Sequence, residues 1–79
     1  MLDYDPAERD AWDAALVAHL TEVLPAATLS WGECGRRLVA AFPDGGERSI
    51  WEPNFFFSRS HWTDGELFAM VADHLASAG

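Results

Sequence analysis

A helix-start signature stands near each end of this chain, and the stretch between them is cut by proline and glycine into short β-prone runs. At the front, Asp5-Pro6-Ala7-Glu8 supplies a side chain that can accept from the first free N–H groups. Proline follows at the first helical position, and a glutamate stands three residues after the cap. Trp12, Leu16, Leu20 and Val23 then recur at helical spacing, with Ala11, Ala15 and Ala18 between them, until Pro25 stops the run. The spacing predicts a helix over residues 6–24. Asp10 and Asp13 fall toward its N-terminal end, where the helix dipole favours negative charge. At the back, Thr63-Asp64-Gly65-Glu66 has the form of a capping box, and Leu67, Phe68, Val71, Ala72 and Leu75 follow at spacings of three and four. This predicts a second helix over residues 64–77, with His74 in its last turns, where a cation is favoured.

Between these helices, Leu38-Val39-Ala40-Ala41-Phe42 and Arg48-Ser49-Ile50-Trp51 flank Pro43-Asp44-Gly45-Gly46-Glu47. That order reads as a hairpin over 37–42 and 47–51, closed at Gly45-Gly46, where glycine takes a positive φ without steric penalty. Thr28-Leu29-Ser30-Trp31 is β-prone, and Cys34-Gly35 can turn it back to make a third strand. A competing reading begins a helix at Ser30-Trp31-Gly32-Glu33 and runs it to Phe42, with Trp31, Cys34, Leu38 and Phe42 on one side. Gly32 and Gly35 oppose it, each costing about 1 kcal/mol in a helix interior. Strands are favoured. Pro53-Asn54 ends the hairpin, and residues 55–62 are expected as a loop or short extra strand.

Two amphipathic helices and a meander with one shared face give the α+β class, a two-layer arrangement of N-terminal helix, three-stranded antiparallel meander and C-terminal helix. If residues 31–42 are helical, the chain is instead a small all-α bundle with a hairpin. A length of 79 residues points to one domain spanning 1–79. So small a domain buries only about 60–65% of its unfolded surface, so large side chains must supply much of its stability. Four tryptophans, five phenylalanines and one tyrosine are present to do so.

Charge narrows the partners. The net charge is −8, and the excess lies at the ends: residues 1–29 hold six acids against Arg9, residues 30–60 four acids against four arginines, and residues 61–79 three acids and no arginine or lysine. A field of this sign repels phosphate backbones and anionic lipid, so direct nucleic-acid or membrane binding is not expected. A basic protein partner would be attracted and steered; the same acidity also serves solubility. The N-terminal residues are acidic where a signal peptide is basic, and no apolar run approaches the roughly 20 residues of a membrane span. With one cysteine, Cys34, no intrachain disulfide can form, and a reducing, cytoplasmic setting is expected.

Motifs for chemistry are missing from the sequence. Ser60-His61 are adjacent, but adjacency is not the geometry of an activated nucleophile. His19, His61, His74 and Cys34 fit no metal-ligand spacing, and His19-x-x-Glu22 alone would supply two ligands, too few for a closed site. Asp44-Gly45-Gly46-Glu47 lacks the Gly-Lys-Ser/Thr ending of a phosphate loop. Cys34 reads as a small buried hydrophobe. No cofactor or metal is called for.

What remains is the segment from Trp51 to Trp62. Trp51, Phe55, Phe56, Phe57 and Trp62, with Arg59, are of the types enriched at interface hot spots. Three consecutive phenylalanines in an extended chain would point to both faces, leaving at least one away from the core. The opposing reading spends every aromatic on the small core. The expected function is a non-enzymatic acidic protein-binding module, an inhibitor or antidote that occupies a basic surface of its partner. Its sharpest form is a nucleic-acid mimic of phage or toxin–antitoxin type, which covers DNA-mimic, immunity-protein and anti-CRISPR roles. Trp51, Phe55, Phe56, Phe57, Arg59 and Trp62 would contact the partner while Asp10 and Asp13 attract it; self-association is compatible with the composition. The alternative is a small enzyme or enzyme subunit with His61 as acid/base beside an acid of the last helix.

Overall fold

A computed structural model describes residues 4–32 and 35–77. Helix α1 spans Pro6–Val23, followed by strands β1 (Thr28–Gly32), β2 (Arg37–Ala41) and β3 (Glu47–Trp51), a short helix α2 (Glu52–Phe56), a 3-10 turn (Phe57–Ser60) and helix α3 (Asp64–Ala76). The strands form one antiparallel meander in the order β1-β2-β3, with Leu38 facing Trp31 on one side and Ile50 on the other. The α+β arrangement read from the sequence is the one observed, and the helical alternative for residues 31–42 is overturned by the β1–β2 pairing.

The caps explain the helix ends. Asp5 accepts from the Ala7 N–H at 2.9 Å with Pro6 at the first position, and the Leu24 N–H closes the last turn on the Leu20 carbonyl. Glu8 departs from expectation, because its carboxylate bonds Arg59 across the fold. In α3 the capping box is complete: Thr63 Oγ1 accepts from the Glu66 N–H, and the Thr63 N–H donates to the Glu66 carboxylate. Together with the bond from the Thr63 hydroxyl, this holds the Glu66 carboxyl below its ordinary pKa.

The hairpin turn differs from its sequence reading in one detail. Gly45 sits at φ +91°, whereas Gly46 does not need positive φ and is fixed by its N–H donating to Asp44 Oδ1 at 2.8 Å. A Cβ on Gly45 would meet nothing within 4 Å, so the cost of a side chain there is purely that of the backbone. Gly45→Ala is therefore expected to destabilise by about 1–2 kcal/mol, lowering Tm by roughly 4–8 °C per kcal/mol in a thermal melt followed by circular dichroism. In the β1–β2 connection, Gly35 adopts φ +73°; Glu33 and Cys34, including the expected burial of Cys34, lie outside the described residues.

Trp12, Leu16 and Leu20 of α1, Leu38, Ala40 and Ile50 of the sheet, Phe56 of α2, and Leu67, Val71 and Leu75 of α3 make the core. Trp12, Leu16, Leu20, Phe68, Val71 and Leu75 are expected from their spacing to join the two long helices; five of these are buried, and Phe68 is half-buried with its ring 5.3 Å from Trp12. Val39, Ser49 and Trp51 lie on the other face of the sheet by their register. No helix among the described residues is long and apolar enough to cross a membrane.

The main correction concerns residues 55–62, expected as a loop or short extra strand: residues 52–60 are helical. Pro53 ends β3 as expected, but it does so from the first turn of a helix, a position proline tolerates. Successive side chains there are separated by about 100° around the axis instead of alternating between two faces. Phe55 is half-buried, Phe56 is 2% exposed and Phe57 is 51% exposed.

Candidate partner-binding surface

An ion pair underlies this segment. Arg9, 4% exposed, and Glu52, fully buried, meet side by side: Arg9 Nε donates to Glu52 Oε2 at 3.0 Å and Nη2 donates to Oε1. Nη1 donates to the Tyr4 hydroxyl at 3.1 Å. The guanidinium also lies over the rings of Tyr4, Phe56 and Phe57, with centroids 4.9–5.3 Å away. Its bond to Glu52 raises its pKa against the lowering effect of burial, so the charge is secure. Glu52 is fixed in turn by its N–H, which donates to the Arg36 carbonyl. The α1 helix is thereby clamped to the start of α2 through planar, charge-assisted bonds.

Above the clamp lie three of the side chains singled out in the sequence. Phe57 is 51% and Trp62 48% exposed, and half-buried Arg59 stands between them in sequence. Arg59 covers the outer side of Phe56, 4.7 Å from its centroid, bonds Glu8 and lies 3.9 Å from Asp64 Oδ1. Asp64 also accepts from the Trp12 indole N–H at 2.9 Å. Carboxylates of both long helices thus hold Arg59, the residue between the two exposed aromatics in sequence.

The other expected contacts lie elsewhere. Phe56 is in the core, edge-on to Trp12 and Tyr4, because a helical turn and not a strand carries it, so it presents no surface to a partner. Phe55 packs against the core. Trp51 is exposed on the far face of the sheet, where the Arg37 guanidinium lies 5.6 Å from its ring. Asp10 is exposed on the opposite flank of α1 from Glu8.

Asp13 is not a free surface charge. Burial and the neighbouring Glu52 carboxylate push its pKa up to about 8, against the pull of Arg9 and Arg36. Its Oδ1 is buried without a hydrogen-bond partner. Two carboxylates cannot bond each other, but a proton on Asp13 turns the contact with Glu52 into a hydrogen bond. The folded chain therefore keeps a proton that the unfolded chain releases from about pH 4 upward, and stability is lost as pH rises toward 8. Asp13→Asn, whose amide donates at every pH, is expected to flatten this decline and to melt several degrees above the parent at pH 9. Thermal melts of both chains from pH 5 to 9 provide the check, and parallel curves would show that Asp13 carries no such proton.

His61 is exposed at the end of the 3-10 turn, its N–H donating to the Ser58 carbonyl. The nearest acids in sequence are otherwise engaged, Asp64 with Trp12 and Arg59, Glu66 with Thr63. Among the described residues no group of three or more histidine, cysteine, aspartate or glutamate side chains could hold a metal ion. Comparison of the chain with family models, with curated proteins and with solved structures finds no match.

Proposed function

We propose that this protein acts by binding another protein, in a reducing, cytoplasmic setting, as a non-enzymatic inhibitor or antidote that occupies a basic surface. The observation that carries the reading is the exposure of two large aromatics, Phe57 and Trp62, on either side in sequence of an arginine held between carboxylates of α1 and α3. Exposed aromatic area supplies short-range affinity, and a rim of acids steers a basic partner. Arg9 and Arg59 are paired with Glu52 and Glu8, and the net charge of −8 leaves the outward field acidic. In the nucleic-acid-mimic form, carboxylates take the place of phosphates against the partner's lysines and arginines and release its counterions.

The test compares the parent chain with Phe57→Ala/Trp62→Ala as bait in extracts of the native host, then measures kinetics with the partner so identified. The double variant is expected to fold normally and to bind on the order of a hundredfold more weakly, mainly through faster dissociation. Asp10→Asn is expected to slow association and to reduce its dependence on salt. Equal capture by both baits would place the interface elsewhere, and an affinity indifferent to salt would exclude charge mimicry.

A further inference from the structure

We propose that the free edge of β1 is the docking site for an extended segment of a protein partner, which adds a fourth, antiparallel strand to the sheet. β1 is the outermost strand on its side of the meander. Antiparallel ladders alternate, so the bonds of the middle strand reveal which groups of β1 point away from it. The Phe42 N–H donates to the Gly46 carbonyl and the Glu52 N–H to the Arg36 carbonyl, which fixes the even-numbered residues of β2 as those bonded to β3. Arg37, Val39 and Ala41 are left for β1, where they meet Gly32, Ser30 and Thr28. Leu29 and Trp31 therefore turn their N–H and C=O groups outward, and among the described residues nothing bonds them there. Edge strands are commonly guarded by charge or proline. β3 carries Glu47 and Arg48, whereas β1, Thr-Leu-Ser-Trp-Gly, has no charge and no proline.

Main-chain bonds give an added strand its affinity, and the ground beside the edge selects its side chains. Leu29 and Trp31 lie opposite Ala40 and Leu38 and so share the core face of the sheet. The two residues of the new strand that face them point to the same side. There an open groove of about 590 Å³ separates Trp31 from the flank of α1 that carries Asp10, Ala14 and Val17. Because the chain reverses between Val23 and Thr28, β1 runs back along α1, with Leu29 toward Val17 and Trp31 toward Asp10. The place opposite Leu29 calls for an apolar side chain. The place opposite Trp31 calls for a cation, because Asp10 is exposed, forms no ion pair among the described residues and shares the groove with a 38% exposed indole. In an antiparallel strand the order is then basic, any residue, apolar. A second copy of β1 does not fit, since it would set its Leu29 opposite Trp31 and bring two acidic helix flanks together. The added strand is a second contact within the proposed partner binding and rests on that reading for its ligand being a protein.

The experiment titrates the acetylated, amidated peptide Thr-Lys-Thr-Val-Thr into the full chain, labelled with nitrogen-15, and follows the backbone amides. Saturable shifts and slowed exchange are expected at Leu29 and Trp31, with a nuclear Overhauser contact between Ser30 Hα and the Hα of the middle threonine. Methylating the lysine and valine nitrogens of the peptide, which face β1, is expected to weaken binding on the order of tenfold or more. Methylating the middle threonine nitrogen, which faces away, should leave it nearly unchanged. Glutamate in place of the lysine is expected to weaken binding about two- to fivefold, and Asp10→Lys to reverse that preference. Absence of saturable shifts at Leu29 and Trp31, or indifference to the position of methylation, would overturn the added strand. Indifference to the sign of the peptide's charge would overturn the basic occupant. Shifts of the same amides on concentrating the chain alone would give the edge to a second copy instead. The titration needs no host partner, and Phe57→Ala/Trp62→Ala should bind the peptide as the parent does. A silent edge therefore leaves the Phe57 and Trp62 surface standing, and loss of that surface leaves this titration unchanged.

Discussion

Replacing Arg9 with alanine is expected to cost about 3–5 kcal/mol, because it strands a buried, ionised Glu52 whose remaining neighbour of note is another carboxyl, Asp13. A domain of this length has about 4–12 kcal/mol of stability in all, so the variant should be partly or wholly unfolded at room temperature. The substitution also removes the cation beneath Tyr4, Phe56 and Phe57. Urea denaturation followed by circular dichroism at pH 7 measures the loss. Glu52→Ala should cost a similar amount, leaving the guanidinium as the orphan. The paired replacement Arg9→Met with Glu52→Leu should recover much of it, since a buried ion pair is often matched by apolar side chains of similar volume. If either single variant loses less than about 1 kcal/mol, solvent reaches the pair far more than its burial implies.

Neighbouring phenylalanines give the second large effect. Phe56→Ala is expected to cost about 3–5 kcal/mol, the range for truncating a buried aromatic. Its ring packs edge-on against Trp12 and Tyr4, and the guanidiniums of Arg9 and Arg59 lie 4.9 and 4.7 Å from its centroid. Phe57→Ala, one residue on, is expected to cost about 1 kcal/mol or less, as suits a half-exposed side chain. The pair of melts distinguishes a helical turn from an extended segment. In a strand, Phe55 and Phe57 would share one face and respond alike, with Phe56 on the other.

The legible parts of the fold were those with local causes. A cap, a period and a stop placed α1 and α3 within a residue or two, and glycine at the two turns was enough to order the meander. The helical segment at 52–60 is hidden in the sequence because three phenylalanines in a row resemble a strand and Pro53 reads as a breaker. In fact the proline occupies a first helical turn, and the long-range bonds of Glu52 secure that turn from outside the segment. The ion pair itself had no signature. Arg9 and Glu52 stand 43 residues apart, and in a tally of charges each looks like any other solvated group. Asp13 reads as a helix-dipole acid for the same reason; its character comes from burial and from Glu52. Phe57, Arg59 and Trp62 could be picked out by composition, whereas Phe56 could not be told from them without knowing the helical phase.

The polar ties of α1 have a kinetic consequence. Its cross-fold bonds, Arg9 to Glu52, Glu8 to Arg59 and Trp12 to Asp64, span 43, 51 and 52 residues, while the meander closes on itself through neighbouring strands. During synthesis α1 must therefore wait for residues 52–64 before its partners exist. Loop-closure entropy places that docking late on the folding path. Substitutions at Arg9 or Trp12 should then appear chiefly as faster unfolding, with the rate of refolding nearly unchanged.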